Sequence, residues 1–202
     1  MQVKLRVSMF LPVVSLAVVL PSFGDAIPYP DIGSIVPPSM STAAATGPIG
    51  AFFYEFSAGD ADLIKVIDTT LSVDSGWRFD NQSTTVGAFF TVLASVNSGD
   101  LLEFQLLDQS SGDIYSSNPA HTSDGINHLH FTPYTGGVAG LPAGMFIGGE
   151  DRPAGSSDLS YNDDQFVFTN VGTTTIAEPV SMALAGVGLL AAGFLLGMRT
   201  PK

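Results

Sequence analysis

The sequence contains no cysteine, and this absence removes three kinds of chemistry at once. A chain without thiols has no disulfide framework, no thiolate metal site and no cysteine nucleophile. A domain of about 130 residues is nevertheless large enough to bury a core of its own. We therefore expect apolar packing to hold the fold, with bound metal able to add stability by mass action.

Basic residues are scarce between the two hydrophobic ends of the chain. Residues 27–178 contain three, Lys65, Arg78 and Arg152, against eighteen aspartates and glutamates, which gives a net charge of −15. A field of this sign repels nucleic acid and anionic lipid, and it attracts cations. On this ground we exclude nucleic acid as a partner.

Familiar catalytic motifs are missing from the sequence as well. It has neither the Gly-x-Ser-x-Gly turn of an α/β-hydrolase nor a phosphate-cradling Gly-Lys loop. Glu150-Asp151 and Asp163-Asp164 resemble carboxylate pairs, but neighbours along a strand point to opposite faces. A glycosidase needs two carboxylates that face each other across a cleft. We therefore predict that the protein is not an enzyme.

The two ends of the chain are hydrophobic. Residues 180–198 carry no charge and precede Arg199 and Lys202, and as a helix these nineteen residues reach about 28 Å, enough to cross a bilayer. By the positive-inside rule the basic end stays cytoplasmic, so the middle of the protein faces outward. Residues 1–26 combine two basic residues, an apolar stretch over 7–20 and small residues up to Ala26, which predicts a cleaved signal peptide. A retained N-terminal anchor is the alternative, disfavoured because the run is short.

The C-terminal residues 175–202 carry a recognisable combination of features. Glu178-Pro179 precedes the hydrophobic run, four glycines lie within it, and Arg199 and Lys202 follow it. This combination resembles the PEP-CTERM sorting signal of Gram-negative bacteria that make extracellular polysaccharide, although Ala177 replaces the first proline of the usual Pro-Glu-Pro triplet. The resemblance implies processing by a membrane-embedded exosortase. An ordinary single-pass anchor is the alternative.

The region between the ends divides into two parts. Residues 27–49 contain five prolines and a Ser/Thr/Ala cluster, a composition typical of an extended linker. Residues 50–174 contain about eight short aromatic and β-branched runs separated by Gly, Asp, Asn and Ser, and we predict a single antiparallel β-sandwich of jelly-roll type there. The predicted strands are 52–56, 68–73, 77–79, 86–96, 101–107, 126–131, 145–147 and 165–171.

Oxygen-bearing side chains are concentrated in two segments of the predicted sandwich. If the Gly/Ser loop between them folds back, their oxygens converge, and calcium prefers six to eight oxygen ligands in flexible geometry. The predicted calcium ligands are Glu150, Asp151, Asp158, Asn162 and Asp163. The alternative is that Asp158, Asn162 and Asp163 stabilise turns by binding their own backbone.

The same segment resembles a bacterial family of secreted domains without an established activity. The shared pattern is Gly-x-Glu-Asp, a Gly-rich loop, Asp-x-Asp-Tyr-Asn-Asp and a final aromatic strand, and it covers residues 125–171. Ser160 replaces the second aspartate of the pattern, which removes one carboxylate. The resemblance implies a bacterial surface or matrix protein. Residues that fall on the pattern are Glu150, Asp151, Asp158, Tyr161, Asn162 and Asp163.

Two further groups of side chains suggest ligands. His128 and His130, with His121 nearby, have a spacing that can hold zinc, but alternation with Leu129 and Phe131 predicts the first two on the solvent side, and we do not predict zinc. Aromatic residues can stack on sugars, and jelly-roll sandwiches often host lectin sites. The aromatic candidates are Trp77 and Tyr134, followed by Tyr115 and Tyr161; the alternative for Trp77 is a place in the core.

These features predict an exported protein of the cell envelope or extracellular matrix. Its role would be structural or adhesive, with calcium making the acidic loop rigid. A carbohydrate-binding module for extracellular polysaccharide is the alternative function.

Overall fold

The computed structural model describes residue 27, residues 29–137 and residues 140–174. Within these residues all extended structure is antiparallel, and the one helical element is a short 3₁₀ turn at Pro119–His121. The strands are β1 (Met40–Ala43), β2 (Gly47–Phe56), β3 (Asp62–Asp68), β4 (Val73–Asp74), β5 (Phe89–Val96), β6 (Leu101–Asp108), β7 (Ile114–Ser116), β8 (Leu129–Tyr134), β9 (Gly144–Gly149), β10 (Asp164–Thr169) and β11 (Val171–Thr174).

The strands form two sheets. Sheet A has the order β11-β1-β6-β3-β4, with β7 also paired to β6, and sheet B has the order β5-β2-β10-β9-β8. The prediction of an all-β, antiparallel domain is therefore confirmed.

The two sheets contribute to one core. Ile64, Val66 and Phe104 of sheet A and Phe53 and Phe168 of sheet B are each no more than 1% exposed and belong to a single cluster. The rings of Phe104 and Phe168 meet edge to face with their centroids 5.0 Å apart. Because successive strand residues point to opposite faces, period-two apolar positions in each sheet supply this shared core.

The predicted linker over residues 27–49 is wrong for its second half, because Met40–Ala43 forms β1 and β2 begins at Gly47. Its first half, the leader segment of residues 29–37, lies against the domain. The backbone N–H of Gly33 donates to the carbonyl oxygen of Asp158 over 2.8 Å. A chain rich in proline lacks the donors for a continuous ladder, and this segment is held by scattered hydrogen bonds instead.

Two predicted strands differ from the observed ones. The strand expected over 68–73 is wrong, because β3 ends at Asp68, whose Oδ1 accepts the backbone N–H groups of Thr70 and Leu71 and closes a turn. The expected strand over 77–79 is reduced to one bridge between Arg78 and Ile64. The turn capped by Asp68 therefore interrupts a segment for which composition alone predicted one continuous strand.

In the part of the chain that the structure describes, no helix is long and apolar enough to cross a membrane. The predicted signal peptide, the predicted transmembrane helix over 180–198, and the sorting residues Glu178, Pro179 and Arg199 lie outside the described residues.

Candidate metal centre

Strands of both sheets begin or end at the same place, which we call the acidic end. In sheet A, Asp62 begins β3 and is paired with Asp108, the last residue of β6. In sheet B, Asp164 begins β10 and is paired with Gly149, the last residue of β9. The next two residues after β9 are Glu150 and Asp151, so carboxylates from several strand ends lie close together.

Three of the predicted calcium ligands converge there. Glu150, Asp151 and Asp163 each offer a carboxylate oxygen, and these three oxygens all lie within 4.8 Å of one another. The backbone N–H of Asp163 donates to the carbonyl oxygen of Gly149 over 3.1 Å, and that of Asp151 donates to Asp163 Oδ2 over 3.4 Å. The loop after Asp151 therefore folds back onto the end of β9, as the sequence predicted.

Two glycines before Glu150 make this approach feasible. A Cβ atom on Gly148 would overlap the carbonyl oxygen of Tyr161, and one on Gly149 would overlap the side chain of Leu106. Only residues without a side chain let the loop pass over one face of β9 while the core packs against the other.

The loop's conformation is set by Tyr161. Its side chain is fully buried, its hydroxyl donates to the carbonyl oxygen of Asn127 over 3.1 Å, and the same hydroxyl accepts the N–H of Val36 over 3.0 Å. Tyr161 and Leu159 have positive φ values of 55° and 52°, which is uncommon for residues with a Cβ atom. The buried tyrosine thus fixes a tightly curved backbone directly before Asp163.

Burial and mutual repulsion shape the charges of the group. Burial, followed by the charge of Asp163, raises the pKa of Asp151 to about 6. Burial, followed by hydrogen bonding with Glu150, raises the pKa of Asp163 to about 7. The neighbouring cation is Arg152, half exposed, whose Nε lies 3.8 Å from Asp151 Oδ1 and whose Nη2 donates to Asp60 Oδ2 over 3.2 Å. One exposed guanidinium neutralises little of this charge.

One atom of the group has no partner. Asp151 Oδ2 is buried and accepts no hydrogen bond. Asp151 is 2% exposed, and the three carboxylates line an open cavity of about 280 Å³ together with Asp158 and Ser57. A buried carboxylate oxygen that accepts no hydrogen bond is costly, and a hard cation is the ligand that would complete it.

The other two predicted ligands are placed differently. Asp158 lines the cavity but is exposed, and its Oδ1 accepts the N–H of Ser160 over 2.9 Å. Asn162 Oδ1 accepts the hydroxyls of Ser57 and Ser160 over 3.0 and 2.7 Å. Asp158 therefore binds the neighbouring backbone, as the alternative interpretation proposed, and lies outside the group of close carboxylates, whereas Asn162 binds serine side chains.

The expectation that His128 faces solvent is wrong. Its side chain is fully buried, its Nε2 lies 3.1 Å from the Asp124 carboxylate, and its ring centroid lies 4.5 Å from that of Tyr115. His128 precedes the first residue of β8, so the strand alternation does not yet apply to it. In the described ranges, the group of close metal-type ligands contains no histidine.

The aromatic candidates for sugar stacking are mostly enclosed. Tyr134 is 4% exposed and its ring meets that of Tyr54 edge to face, while Tyr115 and Tyr161 are buried as well. Trp77 is partly exposed, and Lys65 Nζ lies 4.6 Å from the centroid of its ring. Among these four residues, only Trp77 offers a ring face that a sugar could reach.

Sequence reasoning did not single out two further aspartates of the acidic end, Asp62 and Asp164. Both are essentially inaccessible to solvent, at 1% and 0% exposure. The signal that could have found them is an aspartate placed directly before an alternating apolar run, since it marks a polar residue at a strand's first position. Their pairing across the two sheets is a tertiary contact that local patterns do not reveal.

Comparison with known proteins assigns no family. No family model matches the chain, and neither a curated protein nor a solved structure matches it. The interpretation of the acidic end therefore rests on its geometry.

Proposed function

We propose that the protein is an exported structural or adhesive protein of the cell envelope or extracellular matrix, whose β-domain is stabilised by calcium at the acidic end. The observation that carries the proposal is the Asp151 Oδ2 atom, which is buried without a donor beside the carboxylates of Glu150 and Asp163. A cation there would turn a destabilising cluster into a stabilising one.

Electrostatic cost supports a cation at this position. Moving a charged carboxylate out of water costs several kcal/mol even after relaxation, and three adjacent carboxylates also repel one another. Arg152 is half exposed and divides its guanidinium between Asp60 and Asp151. Calcium accepts carboxylate oxygens in irregular geometry, and the open cavity has room for the waters that would complete its coordination.

The position of the site suggests what the cation would do. Glu150 and Asp151 follow β9, while Asp163 precedes β10 and its carbonyl oxygen accepts the N–H groups of Ser57 and Ala58 after β2. A cation bound here would fasten three neighbouring strands of sheet B at one end. For a chain without cysteine, such a tie supplies a cross-link outside the cell.

The proposed fold type and cellular location go beyond the two sheets and the shared core that the structure describes. Two antiparallel sheets with a shared core support a β-sandwich, for which we propose the jelly-roll type. The hydrophobic ends of the sequence, with Glu178-Pro179 before the second one, support export and membrane anchoring, followed by exosortase processing and release toward extracellular polysaccharide.

Calcium binding is tested by titration of the chelator-treated protein at pH 8, followed by calorimetry and thermal unfolding. We expect saturable binding and a stabilisation of about 2.7 kcal/mol at a calcium concentration one hundred times Kd. Asp163→Asn should abolish both effects. The matched control is Asp113→Asn, an exposed aspartate in the turn before β7, which should keep both. Absence of binding at millimolar calcium would contradict the proposal.

Processing is tested by mass spectrometry of the protein from a host that has an exosortase. We expect mature chains that end close to Pro179 and lack the hydrophobic segment over 180–198. Replacing Glu178 and Pro179 by alanine should leave the segment attached. If every unmodified chain retains peptides beyond Pro179, the processing part of the proposal is wrong.

A further inference from the structure

A second pair of carboxylates lies deeper in the acidic end. Asp62 is the first residue of β3 in sheet A, and Asp164 is the first residue of β10 in sheet B. Both side chains are buried, and the two carboxyl groups are hydrogen-bonding neighbours. The pair therefore spans the interface between the two sheets.

The hydrogen bonds around this pair are incomplete. Asn81 Nδ2 donates to Asp62 Oδ2 over 3.0 Å, and Asn81 Oδ1 accepts the backbone N–H of Asp62 over 3.0 Å. As carboxylates, Asp62 Oδ1 and both oxygens of Asp164 are buried and have no donor, and only a proton shared between the two groups would join them by a hydrogen bond. Together with Asp151 Oδ2, four buried carboxylate oxygens in the acidic end have no donor. Buried polar atoms without partners are rare in native proteins and point to something that satisfies them.

We propose that the acidic end binds two divalent cations, the second one between Asp62 and Asp164. Its protein ligands are Asp62 Oδ1 and the two oxygens of Asp164. The inference deepens the proposed function and rests on the first cation site being real. It changes the role of the metal, since a cation held by β3 and β10 ties sheet A to sheet B.

The negative charge of the acidic end also favours a cation bound between Asp62 and Asp164. Besides Asp108, whose carboxylate accepts hydrogen bonds from Ser110, the acidic end gathers five carboxyl groups, those of Asp62, Glu150, Asp151, Asp163 and Asp164. One exposed arginine faces them, through Asp60 and Asp151. Two divalent cations supply four positive charges to this group, which nearly balances it. The ligand class is a hard cation such as calcium, because every available atom is oxygen.

The number of bound ions tests the proposal. Equilibrium dialysis of the full-length protein against radioactive calcium at pH 8, with the concentration raised to saturation, gives ions per chain. We expect two for the unmodified protein and for Asp113→Asn. We expect one for Asp164→Asn and one for Asp62→Asn, because either change removes ligands of the second position. The two variants are isosteric with aspartate and cannot ionise, so their thermal unfolding temperatures in chelator should be no lower than that of the unmodified protein.

The outcomes separate this proposal from the one on which it rests. A single ion in the unmodified protein, undiminished in Asp62→Asn and Asp164→Asn, would overturn the second site and leave the first; a proton shared by the two aspartates would then explain the pair. No bound ion in the unmodified protein would overturn both. If Asp164→Asn fails to fold, the count for Asp62→Asn decides the question, since the amide oxygen of that variant can still accept the hydrogen bond from Asn81 Nδ2.

Discussion

Carboxylates inside the domain lie in two contrasting environments, one rich in hydrogen-bond donors and one poor in them. Glu103, 5% exposed on β6, accepts hydrogen bonds from Gln105 Nε2 over 2.6 Å and from Ser116 Oγ over 2.8 Å, and it faces His121 Nδ1 at 2.8 Å. Although burial acts to raise it, these hydrogen bonds hold the pKa of Glu103 below its ordinary value. Its charge is satisfied by the chain itself.

The acidic end shows the contrary arrangement. Burial, together with the charge of Asp164, raises the pKa of Asp62 to about 9, and burial raises that of Asp163 to about 7. Glu103 and Asp62 are both buried, and they differ in their neighbours: Glu103 is surrounded by donors, whereas Asp62 lies next to another carboxylate. Surrounding side chains complete one carboxylate, whereas we propose that a cation from outside the chain completes the other set.

The largest effect that would test this comparison is expected for Glu103→Ala. It leaves the buried amide of Gln105 and the buried hydroxyl of Ser116 without their acceptor, and we expect a loss of about 2–4 kcal/mol in the free energy of unfolding. Urea denaturation in calcium and in chelator should give the same loss. If the loss depended on calcium, Glu103 would belong to the metal centre and the comparison would fail.

The next effect has the opposite sign. In chelator, Asp163→Asn removes a partly buried charge that repels the carboxylates of Glu150 and Asp151, and we expect it to stabilise the fold by about 1–2 kcal/mol. Thermal unfolding should show a rise of about 2–4 °C per kcal/mol for a domain of this size. A destabilisation comparable with that of Glu103→Ala would mean that the chain already satisfies Asp163.

The pH dependence of stability should also separate the two sets. The folded-state pKa values of Asp151 and Asp163, about 6 and about 7, exceed the ordinary value, so between pH about 4 and 7 the folded chain binds more protons than the unfolded one. Stability in chelator should therefore fall as pH rises through that window, by a few degrees in Tm. Saturating calcium should remove or reverse the fall.

Glu103 should contribute to the pH dependence of stability with the opposite sign. Its lowered pKa gives stability that is present above the ordinary glutamate value and is lost as pH falls through the folded-state value. In Glu103→Gln, the loss of stability between pH 5 and 3 should therefore be smaller than in the unmodified protein. An unchanged acid limb would show that the hydrogen bonds to Glu103 do not favour its charged form.

The smallest effect is expected for Arg152→Ala. Its guanidinium is half exposed, so the free energy of unfolding should change by less than about 1 kcal/mol. Calcium should bind a few times more tightly because a positive charge next to Asp151 is gone. Lys65→Ala is the control, since Lys65 pairs with Asp74 outside the acidic end and should leave Kd unchanged. A weaker affinity in Arg152→Ala would contradict the site's proposed position.

The β class could be predicted because its signals are local. Glycine-containing turns at 98–100, 111–113 and 136–137 all fall between observed strands, and period-two runs supply the core. The missed strands carry weaker signals: β1 lies in a Ser/Thr-rich segment, β3 has aspartates at both ends and a lysine at its centre, and β7 has three residues. Pairing with β6 stabilises these strands despite their weak local preferences. Such a pairing cannot be predicted from one segment of the sequence alone.

The candidate site likewise has one part that could be predicted from the sequence and one part that could not. The convergence of Glu150, Asp151 and Asp163 followed from a glycine-rich loop between two acidic segments close in sequence. The pair of Asp62 and Asp164 is separated by about a hundred residues, and its meeting depends on the packing of one sheet on the other. Sequence patterns fix which face a residue occupies within a strand, and they do not fix which strand ends meet across a core.

The attachment of β11 has a mechanical consequence. It is an edge strand held to β1 by four residue pairs, from Met40 with Thr174 to Ala43 with Val171. Tension applied to the chain after Thr174 would act on the pair of Met40 and Thr174 first. The remaining pairs would then separate one after another, because the force reaches each pair only when the one before it has opened. Under such a pull the pairs of Thr174, Thr173 and Gly172 would separate before the shared core was strained, because Val171 belongs to that core, so the domain could yield a short length of chain and re-form without unfolding.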